Sequence, residues 1–220
     1  MFLASPLAVC IFLAHYVVSG KIWVNTVVTI EETLMGFAFG SAFGVIGGLV
    51  IGWSKFLERV MTPFLTLLNS LPRVALAPMF IVWFGIGELS KVIQGFSLVV
   101  FIVLISTEAG VRSVDPDLLM MSKVMGATDQ QSFLKVVLPG AVPSIFAGLR
   151  LGVIYALLGA VIGEMVGAKF GLGQQVMEYS YNYQPAGVFA VLLILAIIGT
   201  FLNELMIQIE RRLSRWKGSE

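Results

Sequence analysis

The chain has 220 residues, 58% of them hydrophobic and only 12% charged. Soluble domains carry about 25% charged residues, so this chain lacks the polar surface to cover a water-facing fold, and a mean hydropathy of +0.94 agrees. A net charge of +1 gives no bulk electrostatic case for nucleic acid. One cysteine, Cys10, excludes an internal disulfide, and one histidine, His15, excludes a multi-histidine metal site. The first basic residue is Lys21, so the basic start of a cleaved signal peptide is missing.

The apolar residues come in long runs, and a membrane-crossing helix needs about 20 of them. The N-terminus falls short of this. Residues 7–18 are apolar for only about 12 positions, interrupted by His15 and Tyr16, and Ser5-Pro6 suits a helix start. Residues 1–26 read as an extracytoplasmic, interfacial segment; a short sixth span reaching back to Met1 is the alternative. The first full span is expected over 27–53. It carries Gly36, Gly40, Gly44, Gly48 and Gly52, a row at four-residue spacing that lets another backbone approach.

The second span is expected over 63–84, bent by Pro72 and Pro78. Asn69, Ser70 and Arg73 lie beside the bend, where an arginine should face protein or a water-filled cavity. The third span covers 92–110 and carries Glu108 near its end. The fourth covers 144–168, with small-residue rows at Gly148, Gly152, Ala156, Ala160 and at Gly159, Gly163, Gly167, and with Glu164 inside it. The fifth covers 187–209. Arg73, Glu108 and Glu164 are candidate path residues, each with a salt bridge or helix-end role as the competing reading.

With five spans the loops alternate between two sides. One side receives Lys55, Arg59, Arg112, Lys123, Lys135 and the tail residues Arg211, Arg212, Arg215 and Lys217. The other receives Lys21, Lys91 and Lys169. The richer side is cytoplasmic by the positive-inside rule, which puts the C-terminus inside.

Residues 111–143 are the one sizeable polar segment. Asp115-Pro116 supplies a cap and a first-turn proline for a short helix. Gly126 breaks that helix, and Thr128 or Asp129 can cap a second one ending near Val137. Pro139 and Pro143 then close the loop. The expected shape is a two-helix knob without a pocket or a catalytic cluster.

This segment resembles the coupling loop of ABC importer permeases, written Glu-Ala-Ala, three residues, Gly, nine residues, an aliphatic, one residue, Leu-Pro. Gly126 is followed by nine residues and then Val136, Val137, Leu138 and Pro139, while Met120, Met121 and Ser122 depart from the Glu-Ala-Ala consensus. The nitrate, sulfonate and taurine subfamily is the nearest likeness. It is marked by Asp115-Pro116, Gly126-Ala127, the run from Trp83 to Glu88, Gly148-Leu149-Arg150, Glu164-Met165 and Gly171-Leu172-Gly173. The likeness covers roughly 20–216, nearly the whole chain.

The resemblance implies an all-α integral membrane protein of the type I importer (MetI-like) permease fold, with a single permease domain over 1–220 and a cytoplasmic coupling loop over 111–143. It implies ATPase-coupling roles for Met121, Ser122, Gly126, Ala127, Thr128, Leu138 and Pro139; the candidate path residues read from the spans are Asn69, Arg73, Glu108, Glu164 and Met165. It implies a second permease subunit forming a homodimer, two ATPase subunits that hold the ATP and Mg, and an extracytoplasmic substrate-binding protein, all at a prokaryotic inner membrane. This chain has no GxxxxGK[ST] phosphate loop and is expected to bind no cofactor and to be no enzyme itself. Members usually carry a further first span before the Ser5-Pro6 point, so a five-span form or a truncated start is expected. The substrate is expected to be a small anion or organic solute: nitrate, sulfonate, taurine, bicarbonate or a vitamin precursor. An ion-coupled secondary transporter or channel is the alternative; it would call for inverted repeats or several buried carboxylates. A membrane-embedded enzyme would need clustered His, Asp, Glu or Ser machinery.

Overall fold

The computed structural model describes residues 4–213, and every regular element among them is a helix. Arg215 and Lys217 of the basic tail, and the Met1 end of the alternative first span, lie outside the described residues. Helix α1 (Pro6–Val18) starts as its sequence dictates: Pro6 takes the first turn and the Ser5 hydroxyl accepts from the Ala8 N–H at 3.2 Å. Gly20, at φ +74°, ends it and permits the turn into α2 (Lys21–Trp53).

Helices α2, α5 (Glu88–Arg112), α8 (Leu138–Val166, continuous with the turns from Asp129) and α10 (Pro185–Leu213) are each long and apolar enough to cross a bilayer. The span expected over 63–84 departs from the simple bend expected at Pro72 and Pro78. Helix α3 (Lys55–Ser70) stops at Leu71-Pro72, a 3₁₀ turn spans Arg73–Leu76, and α4 (Ala77–Phe84) resumes at an angle of 73°. Pro72 fixes the break, because Leu71 before it is extended at ψ 135°. Pro78 adds no kink, since it sits in the first turn of α4, where its missing N–H has no helical partner to lose. In place of the expected span over 63–84 stand two helices at a sharp break, the form of a broken span or of a re-entrant loop.

The chain divides into two compact units. The first holds the described residues up to Ala38, Pro72–Leu98 and Val153–Asn203; the second holds Phe39–Leu71, Val99–Gly152 and the described residues from Glu204 onward. Small residues set the packing in each. In the first unit, a Cβ on Gly36 would lie 3.1 Å from the Val92 carbonyl oxygen, and one on Gly159 would lie 2.6 Å from the Gly95 Cα. In the second, a Cβ on Gly48 would meet the Leu104 carbonyl oxygen at 2.6 Å, and one on Gly52 would meet the Val111 Cβ at 2.8 Å. These rows let α2 and α8 lie backbone against backbone on α5, as small-residue interfaces do in membranes. The second unit also buries an apolar cluster of Val111, Val137, Ala141 and Ile145, against which Leu119, Phe133 and Leu138 pack.

Candidate functional site

The 111–143 segment belongs to the second unit. Helix α6 (Pro116–Val124) is capped by Asp115, whose carboxylate accepts from the Asp117 N–H at 2.8 Å. Gly126 ends it at φ +83°, with the Gly126 N–H donating to the Lys123 carbonyl and the Ala127 N–H to the Ser122 carbonyl. This is a Schellman ending, and it needs a left-handed residue at that point. Thr128 and Gln131 then form a reciprocal capping box that starts α7 (Asp129–Ser132). The two arms are tied by a 2.8 Å hydrogen bond between the Ser122 and Ser132 hydroxyls and by the exposed Lys123–Asp129 ion pair at 3.4 Å.

The second arm departs from its expected course. It does not end near Val137, and Pro139 and Pro143 do not close the loop. The helix runs on through a π turn, Phe133–Val137, straight into α8. Proline at 139 lacks an N–H and would crowd the carbonyl four residues back. The π turn meets that demand: the Leu138 N–H reaches five residues back to the Phe133 carbonyl. The same turn sets the Phe133 ring edge-on against Trp53, with centroids 4.7 Å apart.

The knob therefore has a buried base and a free face. Leu138 packs on the apolar cluster, while Met120, Met121, Val124 and Met125 are 68%, 60%, 81% and 84% exposed. These four, with Asp117, line a shallow apolar hollow of about 400 Å³. Flexible methionine side chains suit an adaptable contact with another protein surface. Of the coupling residues expected from sequence, Met121, Ser122, Gly126, Ala127 and Thr128 lie on this knob, and Leu138 and Pro139 at its root.

The expected path residues fall in both units. Asn69 is exposed on α3 in the second unit. Glu108 pairs with Arg112 at 2.9 Å one helical turn away, and Arg112 also reaches Glu58 at 2.5 Å, which accounts for this carboxylate as part of an ion-pair triad. Arg150 pairs with Glu210 at 3.3 Å. Arg73 lies in the first unit, in the 3₁₀ break, and donates to the Ser97 carbonyl at 3.2 Å. Its own carbonyl accepts from the fully buried Gln94 side chain at 3.1 Å.

Glu164 lies in the first unit, 1% exposed, at the centre of a polar cluster that the sequence reading missed. Its Oε1 accepts from the Thr29 hydroxyl at 2.6 Å and its Oε2 from the Gly173 N–H at 2.6 Å. Thr29 also accepts from the Leu172 N–H at 2.9 Å, and Asn25 Oδ1 accepts from the Gly171 N–H at 2.8 Å. Glu32, 3% exposed, and Lys91, 4% exposed, lie within electrostatic reach of Glu164. The sequence does carry a signal for this cluster: Asn25, Thr29 and Thr33 are polar at four-residue spacing on an apolar helix, with Glu32 beside them. Met165 projects from the same stretch, 37% exposed, and with Glu164, Gln174, Glu178 and Tyr181 borders a hollow of about 360 Å³ next to α9 (Leu172–Tyr181).

Residues 40–215 match the family described as binding-protein-dependent transport system inner membrane component. A protein named as a putative aliphatic sulfonates transport permease, SsuC, of Bacillus subtilis (strain 168) is 32% identical over 99% of this chain and 79% of its own length. The riboflavin transport system permease protein RibX of Chloroflexus aurantiacus is 33% identical over 91% of this chain and 75% of its own. The formylaminopyrimidine transport permease protein ThiX of Halalkalibacterium halodurans is 32% identical over 86% and 76%. Among solved structures, inward-facing MetNI methionine ABC transporter is similar in fold, with a TM-score of 0.75 at 23% identity, covering 90% of this chain and 96% of the other. The capped knob, the membrane-length helices and the sequence matches agree: the chain belongs to the binding-protein-dependent transport system inner membrane components, as an ABC importer permease of the sulfonate and nitrate subfamily.

Proposed function

We propose that this permease forms half of a homodimeric translocation path and is driven through its 111–143 knob by a separate ATPase, with the knob and the C-terminus on the cytoplasmic side. The methionine-rich free face of α6 carries this reading. Four large apolar side chains exposed on a doubly capped knob favour a protein partner over water. The cargo is a small anion or organic solute delivered by an extracytoplasmic binding protein, a class in keeping with relatives named for sulfonates, riboflavin and formylaminopyrimidine. Asn69, Arg73, Glu164 and Met165 remain the path residues of this reading. Glu108 serves it only indirectly, by holding Arg112.

The test is co-purification of an ATPase with the chain. Met121→Asp together with Met125→Asp should leave the chain folded in the membrane and cut ATPase recovery at least about tenfold, the loss of a central apolar anchor. Undiminished recovery with both charges in place would remove the knob from the docking role.

A further inference from the structure

Helix α1 turns one stripe of side chains toward the rest of the first unit. Val9, Phe12 and Tyr16 recur at three- and four-residue spacing and share a face, on which Val9 and Tyr16 are buried. Leu7 and Ile11, off that stripe, are exposed. The stripe meets a partner far along the chain. The Tyr179 ring of α9 stands edge-on to Phe12 at 5.1 Å and to Tyr16 at 6.2 Å between centroids. Rings in this arrangement attract one another beyond the area they bury. The first turn of α10 closes the group from a third side: a Cβ on Gly187 would lie 2.7 Å from the Tyr179 ring and 2.9 Å from the Phe12 ring.

Asn25 joins this cluster to the 171–173 loop. It is buried, and backbone groups fix which way its amide points. The Gly171 N–H can only donate, so the atom facing it at 2.8 Å is Oδ1. The Lys21 carbonyl can only accept, so the atom facing it at 3.0 Å is Nδ2. The second hydrogen on Nδ2 goes to the Tyr16 hydroxyl oxygen at 3.1 Å. The turn that brings Tyr16 and Asn25 together is itself closed. The Ser19 hydroxyl donates to the Tyr16 carbonyl at 2.8 Å, and Gly20 takes the left-handed conformation that starts α2 beside α1. One neutral side chain thus ties the end of α1, the first turn of α2 and the loop that opens α9.

We infer that α1 is a brace for α9: its Val9-Phe12-Tyr16 face, through the Tyr179 ring and the Asn25 amide, holds the 171–181 segment in place. Asn25 and Tyr179 are positioning residues. What they position is the α9 wall of the hollow bordered by Glu164, Gln174, Glu178 and Tyr181. A helix that only rested at the membrane surface would have no such hold on a segment so distant in sequence. The assignment does not rest on the ATPase-docking reading, and its test needs neither ATPase nor cargo.

The test is amide hydrogen exchange of the full chain in lipid nanodiscs, read at 9–18, at 171–181 and, as an internal reference in the second unit, at 116–124. Phe12→Ala together with Tyr16→Leu takes both rings away from Tyr179. It should raise exchange at 171–181 at least about tenfold and at 116–124 by less than about twofold, since the opening is local. Asn25→Leu is close in size but neither donates nor accepts. It should raise exchange at Gly171 at least about tenfold, by stripping its amide of a partner, and should also speed exchange at 9–18. The brace is overturned if the double variant leaves 171–181 at wild-type rates, if 116–124 rises as much as 171–181, or if Asn25→Leu affects Gly171 without affecting 9–18. Should the double variant not yield folded chain, Phe12→Leu decides, because it keeps apolar bulk and loses only the ring edge. A rise of at least about threefold at 171–181 in that variant supports the brace, and a smaller one overturns it.

Discussion

At the scale of single residues, glycines with positive φ separate strain from space. A Cβ on Gly20, at φ +74°, or on Gly126, at φ +83°, would have nothing within 4 Å, whereas one on Gly171, at φ +120°, would meet the Glu164 carboxyl group. Alanine at 20 therefore meets only the left-handed penalty, about 1–2 kcal/mol. Alanine at 171 meets a φ that side chains rarely adopt and a steric overlap as well, and should cost at least about 3 kcal/mol. Thermal unfolding of Gly20→Ala and Gly171→Ala in the same detergent compares them; equal losses would mean that the close approach to Glu164 does not matter. Gly126 yields a subtler contrast. Its space is open, so Gly126→Asn, a residue that tolerates the left-handed region, should keep ATPase co-purification near wild type. Gly126→Val, β-branched at the same φ, should remove the Schellman ending and reduce co-purification severalfold. Valine performing as well as asparagine would show that the hinge's backbone geometry is unimportant.

At the scale of elements, the α2–α5 contact makes a prediction within one helix turn. Gly48 abuts the Leu104 carbonyl and the Thr107 side chain, while Gly47 faces only the flexible end of Leu104, at 3.2 Å. Gly48→Ala should destabilise by about 1–3 kcal/mol through overpacking. Gly47→Ala should be neutral or slightly stabilising, since alanine favours a helix over glycine by about 1 kcal/mol. Denaturation midpoints of the two variants check this, and a reversed order would place the helix face wrongly. The glycine row is legible in the sequence because four-residue spacing is local information, and so are both caps of the knob, Asp115 and Thr128. The path of the chain through proline is less legible. Pro72, Pro78, Pro139 and Pro143 are equal as letters, yet Pro72 breaks a helix, Pro78 starts one, and Pro139 and Pro143 ride inside another. The difference lies in what surrounds each: a π turn ahead of Pro139, and packing of Val137, Ala141 and Ile145 that holds the helix together around Pro143. The Glu164 cluster is half legible. Glu164 stands out as a charge in an apolar run, but Glu32 and Lys91 sit near expected span ends, where a charge is ordinary. Only the fold brings α2, α5, α8 and the 171–173 loop together around them.

For the whole molecule, the division into units sorts the positive charges. Lys55, Arg59, Arg112, Lys123, Lys135, Arg150, Arg211 and Arg212 fall in the second unit, and Lys21, Arg73, Lys91 and Lys169 in the first. Loops rich in Lys and Arg stay on the cytoplasmic side during insertion, so residues of the 111–143 knob should be reachable only from inside, and Lys169 only from outside. Cys10 is the sole cysteine and is exposed, so Cys10→Ser gives a clean background for single-cysteine labelling. Lys123→Cys and Lys169→Cys both replace exposed side chains. The Lys123 ion pair with Asp129 is a surface pair, worth at most about 1 kcal/mol, so its loss should leave the knob intact. In intact cells a membrane-impermeant thiol reagent should label Lys169→Cys and spare Lys123→Cys, and in inverted vesicles the pattern should reverse. Labelling of both from one side would mean an even number of crossings between them, and would require reading α8 as something other than a full span. Labelling of Lys123→Cys alone in intact cells would invert the orientation and place the methionine-rich face of α6 where no ATPase can reach it.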